Sequence, residues 1–265
     1  MKKHSLSRRH IGITRMQNHK ELSIITVNYR SENYLKKCLA SIYNFSDRER
    51  IEIIIVNNDE KFETSFFENN YPEARIINHR KNIGFGAGCN LGAKNVQGEF
   101  LLFLNPDTQF LDDYVGKIMD KFAKSPEKIG IIGPRLITDE GKTQQWCAGK
   151  TITLWQIIKN NIGLVENKKI WESPEDIYTD WVSGAALAIK KEAFEKIGGF
   201  DENFFMYFED DDLCRRAKRA GYEILYSPEE TILHSGGKSY GNTFRKKAQF
   251  YKSLAYYLQK KLKGL

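Results

Sequence analysis

Four consecutive carboxylates, Glu209-Asp210-Asp211-Asp212, follow the aromatic run Phe204-Phe205-Met206-Tyr207-Phe208 and precede Arg215 and Arg216. Acids at a helix start complement its dipole, and i,i+4 pairs Asp211–Arg215 and Asp212–Arg216 would account for part of the cluster. Adjacent carboxylates also repel one another, and the aromatics withhold water from at least one of them. Both effects raise proton affinity toward that of a useful base, for which Asp210 is the candidate. A second constellation is Asn105-Pro106-Asp107, at the end of the apolar run Phe100–Leu104. A carboxylate there is costly to desolvate unless it meets solvent, a cation or hydrogen bonds. Mg²⁺ takes one or two carboxylates plus substrate phosphates, so Asp107 with a diphosphate would suffice; the plainer reading is an Asx-type turn with proline at its corner. His234, after Thr231–Leu233 and before Ser235-Gly236-Gly237, offers an imidazole suited to Mn²⁺, although a lone histidine is more often structural. A base for a hydroxyl proton and a cation for a departing diphosphate are what group transfer from a diphosphate requires.

A third constellation, Asn82-Ile83-Gly84-Phe85-Gly86-Ala87-Gly88-Cys89-Asn90, sets three glycines before or within a helix start. Glycine permits close backbone approach and helix-start amides attract phosphate; equally, the loop simply needs unusual backbone angles. The glycines alternate and do not follow G-x-G-x-x-G, so a dinucleotide cofactor is not expected.

These residues need a frame. Strand-like runs at Leu22–Tyr29, Ile51–Val56, Ala74–Asn78, Phe100–Leu104 and Ile129–Gly133 alternate with helical patterns at Asn33–Asn44, Phe85–Val96 and Leu111–Lys124. That rhythm predicts a mostly parallel, doubly wound sheet flanked by helices, with ligands beyond the carboxyl ends of its strands. The residues there are polar: Asn28-Tyr29-Arg30, Asn57-Asn58-Asp59 and Asn105-Pro106-Asp107-Thr108. Farther on, Val182–Ile189 reads as a strand, Lys191–Ile197 as a short helix ended by Gly198-Gly199, and Glu209–Ala220 as a helix closed by Gly221. Lys142–Asp180, holding Trp146, Trp155 and Trp171, lacks strand rhythm and reads as an insertion or mobile lid.

The hydrophobic share of 41% and charged share of 28% exclude a disordered or fibrous class, and no apolar run approaches the ~18–20 residues of a membrane span. Met1–Lys20 is basic without an apolar h-region, so a secretory signal is not expected, and Met16 is a candidate start beside Met1. Cys38, Cys89, Cys147 and Cys214 form no CxxC pair and read as reduced cytosolic thiols. The net charge of +7 concentrates at the two ends. In Phe244–Leu265, Phe250, Leu254, Tyr257 and Leu258 recur at helical spacing among six lysines and one arginine. Such a helix is expected to pack on the domain and expose its lysines, with contact to anionic lipid as the second reading. No stacking platform accompanies the basic ends, so nucleic acid is not an expected partner. The expected division is a basic tail over 1–20, a main domain over 21–243 and the helix over 244–265.

In their order these pieces resemble the family 2 glycosyltransferases of the GT-A fold, especially the rhamnosyltransferase-like branch that builds bacterial surface polysaccharides. The likeness rests on Val27-Asn28-Tyr29, Asn82-x-Gly84-Phe85 with Asn90, Leu104-Asn105-Pro106-Asp107-Thr108, Gly198-Gly199-Phe200-Asp201-Glu202, and Phe205-Met206-Tyr207-Phe208-Glu209-Asp210-x-Asp212-Leu213-Cys214-x-Arg216. It implies a Rossmann-like nucleotide-binding half joined to an acceptor half. It also implies an inverting transfer from a nucleotide-diphosphate sugar, dTDP-rhamnose or a UDP-hexose, to a hydroxyl of a surface glycan or lipid-linked precursor. Asp107 then stands last in a DXD-type metal motif, with Asn105 in place of its first aspartate, as similar enzymes of this branch often have. Asp210 is the implied base, Glu209 and Asp212 position substrate or the helix, and His234 joins Asp107 on Mn²⁺ or Mg²⁺. Val27, Asn28, Tyr29, Asn58, Asn82, Gly84 and Phe85 border the donor. Asn57 replaces an aspartate that reads base or ribose, and it still offers an acceptor and a donor. Trp181, Ser183 and Gly184, with Asp212, border the sugar and acceptor. The implied place of action is the cytoplasm, peripheral to the inner face of the plasma membrane. Two other readings are a catalytically degenerate nucleotide-sugar-binding protein and a sugar nucleotidyltransferase, whose glycine-rich basic loop after the first strand is missing here.

Overall fold

The computed structural model describes residues 20–151, 167–236 and 243–264. The expectations for the basic tail, Met1, Met16, Trp155 and Gly237 lie outside the described residues. The chain begins with β1 (Leu22–Asn28), α1 (Glu32–Phe45), β2 (Ile51–Asn57), α2 (Ser65–Asn70), β3 (Arg75–Asn78), α3 (Phe85–Gly92) and β4 (Phe100–Leu104). All of β1 and all but Glu52 of β2 are buried, because helices cover both faces of the sheet. On α1, Leu35, Cys38, Leu39 and Ile42 form the stripe that packs inward, as their spacing predicts. The glycines of α3 allow it to lie close on β1: a Cβ at Gly88 would stand 2.9 Å from Val27 Cγ1.

The middle of the chain supplies β5 (Thr108–Phe110), α4 (Tyr114–Lys124), β6 (Ile129–Ile137), β7 (Ala148–Gly149), α5 (Lys168–Trp171), β8 (Ile177–Thr179), β9 (Trp181–Val182) and β10 (Ala186–Lys190). The last part adds α6 (Lys191–Lys196), α7 (Glu209–Arg219), β11 (Glu223–His234) and α8 (Thr243–Leu262). Among the described residues the main sheet has nine strands in the order β3-β2-β1-β4-β10-β6-β11-β5, with β8 also on β11. The β3-β2-β1-β4 half is parallel throughout; β10 then runs antiparallel to both β4 and β6, so the second half is mixed.

Two sequence expectations change. Thr231–Leu233 is only the end of β11, whose twelve residues break register between Ser227 and Thr231. The described parts of Lys142–Asp180 are docked on the body: β7 pairs with β9, β8 pairs with β11, and buried Trp171 accepts the Tyr226 hydroxyl at its carbonyl, 2.8 Å. The four cysteines are buried and unpaired. No described helix is long and apolar enough to cross a membrane.

Helix α8 packs on the domain. Tyr257 is buried against Phe204 and Phe208, Ser253 is buried with its hydroxyl on the Met206 carbonyl, and Leu254 and Leu258 are partly covered. Lys260, expected in solvent, is drawn inside by Asp201 at 2.6 Å and Asp212 at 2.8 Å.

Candidate active site

A cavity of about 640 Å³ opens beyond the carboxyl ends of β1 and β4. Val27 and Tyr29 reach it from β1, Asn58 from β2, Asn82, Gly84 and Phe85 from the start of α3, and Asn105 and Asp107 from β4. The other side carries Trp181, Ser183, Gly184, Glu209, Asp210 and His234. Three expected residues do not border it. Asn28, Asn57 and Asn78 stand in register at the ends of β1, β2 and β3 and form a ladder: Asn28 Nδ2 donates to Asn57 Oδ1 at 3.3 Å, and Asn57 Nδ2 to Asn78 Oδ1 at 2.6 Å. Asn57 also binds the Asp59 carbonyl and amide, so its polar atoms are occupied within the fold. Its neighbour Asn58, though buried, borders the cavity: Nδ2 donates to the Gly84 carbonyl at 3.2 Å, while Oδ1 has no protein partner.

The third displaced residue is Asp212. Its carboxylate is fully buried between Arg215 at 3.1 Å, Arg216 at 2.8 Å and Lys260 at 2.8 Å. Burial alone would raise its pKa, but Lys260 and Arg216 outweigh that and hold it below the usual range. Asp212 therefore joins α7 to α8 instead of meeting acceptor. The expected Asp211–Arg215 pair is also replaced, since Arg215 turns to Asp212 and Asp211 accepts the Tyr257 hydroxyl.

The candidate base is held tightly. Gly184 N donates to Asp210 Oδ2 and Asp211 N to Asp210 Oδ1, each at 2.9 Å. Tyr207 and Phe208 both have left-handed backbones, φ 71° and 68°, and this turn starts α7 so that Glu209 and Asp210 enter the cavity wall. Gly84 has φ 93°, and a Cβ there would lie 2.4 Å from the Phe205 carbonyl oxygen, to which Phe85 N donates at 3.0 Å. Burial, partly offset by the Gly184 and Asp211 amides, raises the Asp210 carboxyl above its ordinary value. Burial and then the charge of Asp210 push Glu209 well up, and Asp211 is pushed up to about 7, chiefly by burial. Three adjacent acids thus share high proton affinity at the cavity wall.

The antiparallel pairing of β5 with β11 sets His234 opposite Thr108, which brings His234 Nε2 to 3.2 Å from Asp107 Oδ1. His234 Nδ1 meets Gln144 Oε1 at 2.7 Å. An amide oxygen only accepts, so Nδ1–H donates to Gln144, and in the neutral imidazole Nε2 is the nitrogen that faces the Asp107 carboxyl oxygen. Two facing acceptors, one imidazole and one carboxylate, fit a divalent cation between them. No cluster of three or more His, Cys, Asp or Glu ligands occurs among the described residues, so the remaining ligands would come from substrate phosphate and water. Asn105 Nδ2 lies 3.5 Å from the same ring nitrogen. Its backbone closes the turn, with Thr108 N and Oγ1 both donating to the Asn105 carbonyl, and the turn leaves the Asp107 carboxylate facing His234.

Several cavity residues carry no signal in the sequence. Trp146 borders the cavity, and Gln144 stands behind it on His234, from the stretch without strand rhythm, while Lys246 and Phe250 reach the cavity from α8. The aromatic run Phe205–Phe208 was legible only as a source of desolvation, whereas it forms a wall.

The family model described as glycosyl transferase family 2 matches residues 23–198, and one described as the N-terminal domain of galactosyltransferase matches 174–235. The chain belongs to glycosyl transferase family 2, and its fold is the GT-A fold. It is 28% identical over 250 residues to rhamnosyltransferase WbbL of Escherichia coli strain K12, covering 90% of this chain and 92% of that protein. It is 25% identical over 239 residues to the N-acetylglucosaminyl-diphospho-decaprenol L-rhamnosyltransferase of Mycobacterium tuberculosis, covering 83% and 78%. A mannosyltransferase from Pyrobaculum calidifontis, solved in complex with GDP-Man and Mn²⁺, superposes with a TM-score of 0.59 at 15% identity and 83% of this chain. The chain spans 58% of that solved structure and 60% of the S. aureus TarS 1–349 structure.

Proposed function

We propose that this glycosyltransferase moves a sugar, with inversion, from a dTDP- or UDP-linked donor to a hydroxyl of a lipid-linked glycan precursor, and that it uses a divalent cation. The observation that carries the reading is that one cavity is bordered both by the Asp107–His234 pair and by Asp210, a carboxyl of raised proton affinity. The names of the two rhamnosyltransferase relatives support rhamnose as the donor sugar, and that of the mycobacterial protein supports a diphospho-lipid acceptor.

In this reading Asn58 Oδ1, without a protein partner, accepts from the nucleobase or ribose, and Tyr29 and Val27 flank it. Asp107 and His234 would hold the cation, with Gln144 fixing the ring. A bound Mn²⁺ or Mg²⁺ supplies positive charge to the diphosphate as it leaves. Asp210 takes the proton of the acceptor hydroxyl while that oxygen bonds to the anomeric carbon. The bond from that carbon to the diphosphate breaks, and its electron pair stays on the diphosphate. Attack opposite the leaving group inverts the anomeric centre. Gly184 leaves room beside the base, since a Cβ there would stand 3.4 Å from Asp210 Cβ and 3.1 Å from the Phe85 ring.

We assign residues 21–243 to the catalytic domain and 244–265 to the helix that closes it, and we place the protein at the inner face of the plasma membrane. Exposed Phe244, Arg245, Lys247 and Tyr251 on α8 support contact with an anionic surface. Co-sedimentation with phosphatidylglycerol vesicles should fall in Arg245→Glu/Lys247→Glu, and equal binding by both proteins would remove that assignment. The chemistry is tested by incubating the protein with dTDP-rhamnose or UDP-hexoses and an N-acetylglucosaminyl-diphospho-lipid, then resolving the product by NMR. An inverted linkage formed by the wild type and lost in Asp210→Asn is expected. A retained configuration, or full activity in Asp210→Asn, would overturn the mechanism.

A further inference from the structure

Helix α8 lies outside the sheet, yet its side chains fasten the segment that carries the candidate base. Ser253 Oγ donates to the Met206 carbonyl at 2.7 Å, the Tyr256 hydroxyl to Asp201 Oδ2 at 3.0 Å, and Lys260 joins Asp201 to Asp212. Tyr257, fully buried, donates its hydroxyl to Asp211 Oδ1 and stacks on Phe208 with centroids 5.4 Å apart. Phe208 is covered on another side by Phe250, 5.1 Å away, and so is held in the left-handed conformation that starts α7. The Asp211 amide in turn donates to Asp210 Oδ1. One residue thus links the Tyr257 hydroxyl to the base: its carboxylate accepts from the tyrosine and its amide donates to Asp210.

We propose that Tyr257 is a positioning residue for Asp210, acting through Asp211, so that the docked C-terminal helix is part of the working active site. The inference rests on the reading of Asp210 as the base of glycosyl transfer. The charged and titratable groups around Asp211 are Glu209, Asp210, Cys214 and Arg215 on its own helix, and Tyr257 and Lys261 on α8. Without the tyrosine hydroxyl, Asp211 keeps its proton to higher pH. The Asp211 amide, one of the donors that favour the Asp210 anion, is then no longer held in place, and the base ionises at higher pH.

Tyr257→Phe keeps the ring on Phe208 and removes only the hydroxyl. With dTDP-rhamnose or a UDP-hexose as substrate, kcat for nucleoside diphosphate release should fall about tenfold or more, with donor KM within about twofold. The acid limb of the kcat–pH profile should move to higher pH. Hydrogen exchange of the amides across 204–212 should quicken. Asp211→Asn, whose amide oxygen still accepts from Tyr257, should leave the acid limb and that protection in place, and adding Tyr257→Phe to it should bring back both the shift and the faster exchange. Wild-type kcat, acid limb and exchange in Tyr257→Phe would overturn the proposal, as would a lowered thermal midpoint with no shift of the limb, which would leave Tyr257 a packing role alone. Hydrogen exchange needs no turnover. A wild-type protein that released no nucleoside diphosphate from any donor would therefore sink the glycosyl-transfer reading, while the anchoring would still be decided by the exchange data.

Discussion

Replacing Asp212 by Asn removes the one carboxylate on which Arg215, Arg216 and Lys260 converge, at side-chain exposures of 0% for Asp212 and 10%, 19% and 11% for its partners. Breaking a buried ion pair from one side leaves the opposite charges uncompensated, at a cost of about 3–5 kcal/mol. Asparagine keeps the shape, so the loss is electrostatic with no cavity added. For a domain of this size that corresponds to a thermal midpoint lower by about 10 °C. The pH dependence has a definite sign. Asp212 is held below its unfolded value, so its contribution is present above the unfolded carboxyl range and is lost as pH falls through the lower folded value. The wild-type advantage over Asp212→Asn should thus be full at pH 7 and shrink in strong acid. Differential scanning calorimetry at pH 7 and pH 3 measures it. A midpoint within about 2 °C of wild type at pH 7, or an advantage that grows in acid, would refute the reasoning and return Asp212 to the acceptor pocket.

Gly84→Ala should cost at least about 1–3 kcal/mol, because φ 93° is strained for alanine and the new Cβ meets the Phe205 carbonyl oxygen at 2.4 Å; urea unfolding tests this. Asp211→Asn should gain stability relative to wild type as pH rises from 5 to 8. The Asp211 carboxyl is pushed up to about 7 in the folded protein, so the wild type loses stability between the unfolded carboxyl range and pH 7, and thermal midpoints at the two pH values report the difference. Gln144→Leu removes the partner that fixes the His234 ring, and Mn²⁺ affinity measured by calorimetry with nucleotide present should fall about 10–100-fold.

Much of the fold was legible because β4 is a continuous apolar run, β1 and β2 are apolar but for Ser23, Thr26, Glu52 and their terminal asparagines, and α1 has a clean 3.6-residue stripe. Short strands were not. β5 and β7 have three and two residues, too few for any period, and they matter: β5 places Asp107 beside His234. Polar residues at strand ends pointed to the region where the cavity lies but not to which of them border it. Asn28 and Asn57 look like Asn58 in sequence, yet the register of three parallel strands turns the first two toward each other and leaves Asn58 to the cavity. The same holds for the acidic run, where four neighbours divide into the candidate base, a desolvated companion, a tyrosine acceptor and an ion-pair centre. Helical rotation and the position of α8 decide that division, and neither is written in the local sequence. The amphipathic pattern of α8 was clear, but its contribution of Lys246 and Phe250 to the cavity depends on where the helix docks.

The most direct measurement is a thermal-shift titration with dTDP-, UDP- and GDP-sugars, with and without Mn²⁺, on the wild type, Asp107→Ala and Asp210→Asn. A donor site built around Asp107 and separate from the base predicts a rise in midpoint with a dTDP- or UDP-sugar that requires Mn²⁺, disappears in Asp107→Ala and persists in Asp210→Asn. No response to any nucleotide sugar, or a response indifferent to Mn²⁺ and to Asp107→Ala, would contradict it.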